Sequence, residues 1–143
     1  MSTETTEVSP GFFPQIPATK LPESQRMPTL PRFFPRCYIR VENEIFDWMN
    51  RLAPDEYDGG VWSFYQLGNG GFFMAPDQVE GFTIHSPNGS ETKMSAQAAG
   101  ITACLFTYSH LSFKFDQLAE RFHQLREFAL GHPEAEAILA AID

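Results

Sequence analysis

The stretch Val61-Trp62-Ser63-Phe64-Tyr65-Gln66-Leu67, followed by Gly68-Asn69-Gly70-Gly71 and then Phe72-Phe73-Met74-Ala75, constrains the fold more than any other part of the chain. Aromatic and β-branched residues favour a pleated surface, and the glycine-rich tetrapeptide supplies the positive-φ positions of a tight reversal. A β-hairpin is therefore predicted at the middle of the chain. Its neighbours extend the pattern: Gly81-Phe82-Thr83-Ile84-His85 alternates apolar and polar residues, Ser86-Pro87-Asn88-Gly89 is turn chemistry, and Glu91-Thr92-Lys93-Met94 returns as a short edge strand. The expectation is an antiparallel meander of three or four strands.

Helical periods flank this meander. From Glu42, the residues Ile45, Trp48, Met49 and Leu52 recur at i, i+3, i+4 and i+7, with Asp47 and Arg51 as an i,i+4 pair on another face, until Pro54 ends the run. Ser95 reads as an N-cap ahead of a stripe of Ile101, Cys104, Leu105 and Tyr108. A further helix runs from about Phe113 to Leu130 with Gly131 as its C′ residue. Pro133 then opens a last helix at N1, anchored by Ile138, Leu139 and Ile142. The predicted class is α+β: a small antiparallel meander packed with about four helices, in one domain.

Seven of the eleven prolines lie within the first 35 residues, and each biases its predecessor away from helix. This part is predicted to be an extended arm, docked where it carries the doublets Phe12-Phe13 and Phe33-Phe34. The division expected is a Pro-rich, partly flexible arm over residues 1–27 and a domain over residues 28–143. At 143 residues, the chain is sized for one such domain, which buries roughly two thirds of its unfolded surface.

The net charge of -8 is unevenly placed. Residues 1–51 hold six bases and six acids, while the remainder holds four bases against twelve acids. Such a body repels duplex phosphate, so direct tight DNA binding is not expected. No apolar run reaches the ~20 residues of a spanning helix, so no membrane association is expected. The chain opens without a signal-peptide pattern, and Cys37 and Cys104 form no Cys-x-x-Cys pair, so the cytoplasm is the expected compartment.

Catalytic signatures fail one by one. The third glycine of a dinucleotide fingerprint would fall on Phe73, and no Gly-Lys-Ser/Thr follows the glycine-rich turn. His85, His110, His123 and His132 include no His-Glu-x-x-His pair and none at zinc-ligand spacing with a cysteine. No Gly-x-Ser-x-Gly elbow is present, and Cys104 falls on a buried stripe, where it acts as a small hydrophobe. The aromatics of the central hairpin lack the Lys and Arg of a base-stacking platform, since residues 52–92 contain neither, so they belong to the core. No enzyme, cofactor or metal is expected. What remains is acid: Asp55, Glu56 and Asp58 on one loop, and Glu134, Glu136 and Asp143 bordering the last helix. These acids either keep a solvated face soluble or engage a basic, DNA-handling protein by complementary potential.

Asp58 to Pro76 resembles the antirestriction proteins of the ArdB/KlcA type. Leu30-Pro31-Arg32-Phe33-Phe34, Trp48 to Pro54, Ala98-Ala99-Gly100-Ile101 and Leu125 to Ala135 agree in order and spacing. The likeness covers about residues 30–143. It implies a non-catalytic protein of mobile elements that protects incoming DNA from host type I restriction-modification, with the restriction enzyme or an associated host DNA-handling protein as partner. The alternatives are an acidic DNA mimic that competes for DNA-binding enzymes, and an unrelated protein-binding module. Candidate partner-contact residues are Asp143, Asp58, Glu134, Asp55 and Glu56. Asp143 leads because its two carboxylates would stand at the negative end of a helix dipole, with no base closer in sequence than Arg126.

Overall fold

A computed structural model describes residues 15–143. The Phe12-Phe13 doublet lies outside them. The strands are β1 (Ala18–Lys20), β2 (Trp62–Leu67), β3 (Phe72–Pro76), β4 (Phe82–His85) and β5 (Glu91–Met94). The helices are α1 (Arg26–Phe33), α2 (Tyr38–Leu52), α3 (Ala96–Leu111), α4 (Gln117–Leu130) and α5 (Ala135–Ile142). The α+β class holds, with every strand pair antiparallel. The strands divide between two sheets, β1-β2-β3 and β4-β5.

The central hairpin forms as its sequence dictates. Gln66 pairs with Phe72, the Leu67 N–H donates to the Gly71 carbonyl, and Gly70 takes φ +93°, a conformation that costs an L-residue strain. Every residue of β3 is buried because α3 covers it. At Gly100 the approach is so close that a Cβ would stand 2.4 Å from the Ala75 Cβ. Only glycine lets that helix reach the sheet.

α3 is the centre of the molecule. The sequence marks one apolar stripe on it, but Ala98, Ala99, Thr102, Ala103 and Thr107 are buried as well, because α2, β3, α4 and α5 surround it. A helix enclosed on all sides must settle its own polar groups. Thr102 and Thr107 do so by donating to the Ala98 and Ala103 carbonyls four residues back.

The proline-rich segment differs from expectation. Residues 26–33 form a helix, with Pro28 in the first turn, where an N–H has no intrahelical acceptor to lose. Pro31 does cost a bond, but burial of Leu30, Phe33 and the following Phe34 offsets it. Phe33 stacks on Phe72 at 5.0 Å and Phe34 meets the same ring edge-on at 5.8 Å, so this doublet docks into the core. Residues 18–20 add a third strand beside β2.

Two helix ends also differ. Gly131 closes α4 at φ -98°, outside the left-handed region, and α5 begins at Ala135 rather than at Pro133. Phe115 and Phe122 of the α4 region are half-buried rather than fully inward. Arg51 lies over the Trp48 ring at 4.1 Å rather than being committed to Asp47. Among the described residues no helix is long and apolar enough to cross a membrane.

Candidate functional site

The central aromatics form core, not a platform: Trp62, Phe64, Phe72 and Phe73 are buried and only Tyr65 is half-exposed, stacked on Phe73 at 4.6 Å. The two thiols are buried. Enclosure pushes Cys104 up to about 12 and raises Cys37 as well, so neither supplies a thiolate near neutral pH. The Tyr108 hydroxyl is likewise enclosed and donates to the Phe72 carbonyl at 2.7 Å. Among the described residues no group of three or more His, Cys, Asp and Glu is placed to hold a metal ion.

The acids flagged in sequence flank the β4-β5 ribbon from two sides. On one side, the loop that follows α2 carries Asp55, Glu56 and Asp58, all exposed. Glu56 Oε1 accepts the Thr83 N–H at 2.6 Å, which fixes the loop against β4. Tyr57 beside them keeps its phenol proton at neutral pH: burial raises its pKa, the hydrogen bond it accepts from the Trp62 indole N–H lowers it, and the Asp58 charge raises it.

On the other side, α5 runs between the two ends of the ribbon. At its start, Glu134 is half-buried and its carboxylate accepts the Ser95 N–H and hydroxyl, at the point where β5 passes into α3. At its end, the Ser86 hydroxyl and Asn88 Nδ2 donate to the Ala141 and Ala140 carbonyls, with Asn88 at 2.9 Å. The last turn of α5 is thus answered by donors from the β4-β5 turn, more than fifty residues away in sequence. Asp143 stands exposed beyond it, its N–H donating to the Leu139 carbonyl. Glu134 therefore has a fixed structural role, whereas Asp55, Asp58 and Asp143 project freely from the described surface.

Two grooves follow the ribbon on the Glu56 side. The larger, about 540 Å³, is lined by Glu56, Glu80, Phe82, Thr83, Lys93 and Ser95 among others. The smaller, about 190 Å³, is lined by Ala53, Asp55, Glu56, Thr83, His85 and Glu91. Glu80 and Glu91 carry no sequence signal that separates them from ordinary solvated acids. Register places Glu91 opposite His85, and their side chains meet at 3.4 Å. Among the described residues the arrangement offers carboxylates and main-chain groups at the surface, while the two interior thiols are held in their neutral form.

Comparison with known proteins accords with this architecture. The family model for antirestriction proteins matches residues 55–143. Over 136 residues the chain is 42% identical to an antirestriction protein KlcA of Escherichia coli, covering 90% of this chain and 95% of that one. It is equally identical, over 90% of its length and 89% of the relative's, to YfjX of Escherichia coli K12, a protein without an assigned activity. A solved structure superposes with a TM-score of 0.84 at 41% identity, covering 98% of this chain and all of that one. It comes from work on KlcA and ArdB, which describes a novel fold and antirestriction activity against type I DNA restriction systems in vivo but not in vitro. With the matched region spanning most of the chain and relatives aligned over nearly all of it, this chain belongs to the antirestriction protein family.

Proposed function

We propose that this protein acts in the cytoplasm to protect incoming mobile-element DNA from the host's type I restriction-modification systems, without catalysis and through protein contacts. The observation that carries this is the likeness over 98% of the chain to a structure whose group of proteins restrains type I restriction in vivo. The chemistry of the site supports it: exposed carboxylates surround a strand edge, and the thiols are buried in their neutral form. That the KlcA and ArdB activity is seen in vivo but not in vitro favours a route through a further host component over simple competition for DNA. A DNA mimic would displace DNA from purified enzyme, and its affinity would fall steeply with salt.

The test is plating of unmodified phage on a type I restricting strain. Expression should raise plaque numbers toward those of a strain lacking the restriction enzyme, and should leave modified phage unaffected. Equal plating with and without the protein across several type I systems overturns the proposal. Salt-sensitive displacement of DNA from purified enzyme would replace protein contact with mimicry.

A further inference from the structure

Among the described residues the β4-β5 sheet has two strands, so there β4 is paired on one side only. Thr83 stands opposite Lys93 in the register, and its N–H turns to the unpaired side, where Glu56 Oε1 accepts it at 2.6 Å. A carboxylate thus occupies the place where the carbonyl of a third strand would stand. Unpaired strand edges are templates for further pairing, and covering them with a charged side chain is a way of holding them in reserve. Both grooves open over the outer face of the ribbon and reach this edge at Glu56 and Thr83, which they share.

The rim selects the occupant. Asp55 and Glu56 stand beside the edge, Glu80 precedes β4, and Glu91 and Lys93 of β5 flank the outer face of the ribbon, where Glu91 engages His85. The inner face of β4 is committed to the core through Phe82 and Ile84, so an added strand meets Thr83 and His85 on the outer face. We propose that this edge binds an extended segment of a partner protein by strand addition, with Lys or Arg at alternate positions facing Asp55, Glu56 and Glu91. The incoming carbonyl takes the Thr83 N–H, and the released Glu56 carboxylate pairs with an incoming cation. Main-chain bonds supply the attachment and charge supplies the selection. The exchange leaves no donor unsatisfied, because one acceptor replaces another on Thr83. With only four residues in β4, the interaction is weak and sensitive to salt. The proposal rests on action through protein contacts, but it is tested without reference to restriction.

The probe is a synthetic peptide of about ten residues in which Lys alternates with Val or Thr, long enough to span a short strand. It is titrated into the full-length protein while main-chain amide shifts are followed. Shifts should concentrate at residues 81–85. Affinity should fall steeply from 0.01 to 1 M salt, over which the Debye length drops from ~30 to ~3 Å. In an antiparallel addition Thr83 exchanges both main-chain bonds with the peptide residue opposite it. N-methylation of that residue should therefore abolish binding, and methylation of either neighbour, whose N–H points to the other side of the strand, should leave it intact. Glu56→Gln keeps an acceptor for Thr83 and should weaken binding about two- to fivefold, the range of an exposed ion pair. Equal binding of all methylated peptides would reduce the effect to non-specific charge attraction and overturn strand addition. So would shifts confined to residues outside 81–85. Failure to protect phage bears on the proposed function alone, since peptide binding needs no restriction system.

Discussion

Glu134 completes a helix cap on a helix to which it does not belong. Ser95 caps α3 by accepting the Ala98 N–H on its hydroxyl oxygen at 3.1 Å, while Glu134 from the start of α5 accepts the Ser95 N–H at 2.9 Å and its hydroxyl at 2.5 Å. In a capping box the second role falls to a Glu three residues into the same helix, and here that position is Ala98. Borrowing the carboxylate ties α5 to the point where the β4-β5 ribbon enters the core helix. Glu134→Ala should destabilise the fold by about 1 kcal/mol, within the range of lost caps, as read from urea midpoints. Any loss of phage protection in that variant should track its lost stability. Unchanged melting with abolished protection would instead make Glu134 a contact residue.

His132 extends the same junction and gives it a pH dependence. Its Nδ1 accepts the Glu134 N–H at 2.9 Å, so Nε2 carries the proton and donates to Gln97 Oε1 at 2.8 Å. The first bond needs the neutral ring, because a protonated Nδ1 cannot accept, whereas the second survives protonation. Burial lowers the His132 pKa below its usual 6.5, against a smaller upward pull from the Glu134 charge. Below 6.5 the unfolded chain then binds the proton more readily than the folded one, so stability falls with falling pH. The contribution is complete above about 6.5 and is lost as pH drops through the lower folded value. Urea midpoints should decline between about pH 8 and pH 5 more in the wild type than in His132→Gln. An equal decline in both would remove His132 from the account.

The glycines at Gly70 and Gly100 should fail for different reasons. Gly70→Val forces a β-branched residue to φ +93° and should cost about 1 to 3 kcal/mol while the protein still folds. Gly100→Val places its Cβ against Ala75 and should prevent α3 from seating on β3, giving insoluble protein or no cooperative melt. A Gly100→Val protein that melts like wild type would mean that the α3-β3 approach relaxes more easily than its geometry indicates.

What the sequence displayed was local. Ile45, Trp48, Met49 and Leu52 announce α2 because a helix repeats every 3.6 residues, and all four are buried. The central hairpin and the Ser95 cap were legible for the same reason, since turn and cap chemistry act over two to four residues. β1 was not legible, because three exposed residues, Ala18, Thr19 and Lys20, carry no alternation and owe their extension to β2. α1 was hidden by prolines whose cost is offset by the burial of Leu30 and Phe33. At the candidate site, the acidic loop could be read from composition. The Thr83–Glu56 bond, and the division of roles between Glu134 and Asp143, depend on contacts made across 27 and 39 residues or more, for which a single chain leaves no periodic trace.

Asp143 is the acid most open to a functional test. Its side chain stands near the negative end of α5, a placement that helix dipoles disfavour. The carbonyls behind it are already answered by Ser86 and Asn88, so the helix end does not need Asp143 to fold. Asp143 is exposed, and its main-chain N–H, which bonds to the Leu139 carbonyl, is present whatever side chain follows. Asp143→Asn should therefore melt at the wild-type temperature or slightly above it, while plating of unmodified phage falls toward the unprotected level. Asn88→Ala makes the opposite change, removing a donor from the Ala140 carbonyl and leaving the charge in place, so it should lower the melting temperature before it lowers protection. If Asp143→Asn protects phage as fully as wild type, the contact passes to the exposed acids of the loop that follows α2, with Asp58 and Asp55 the next to be changed.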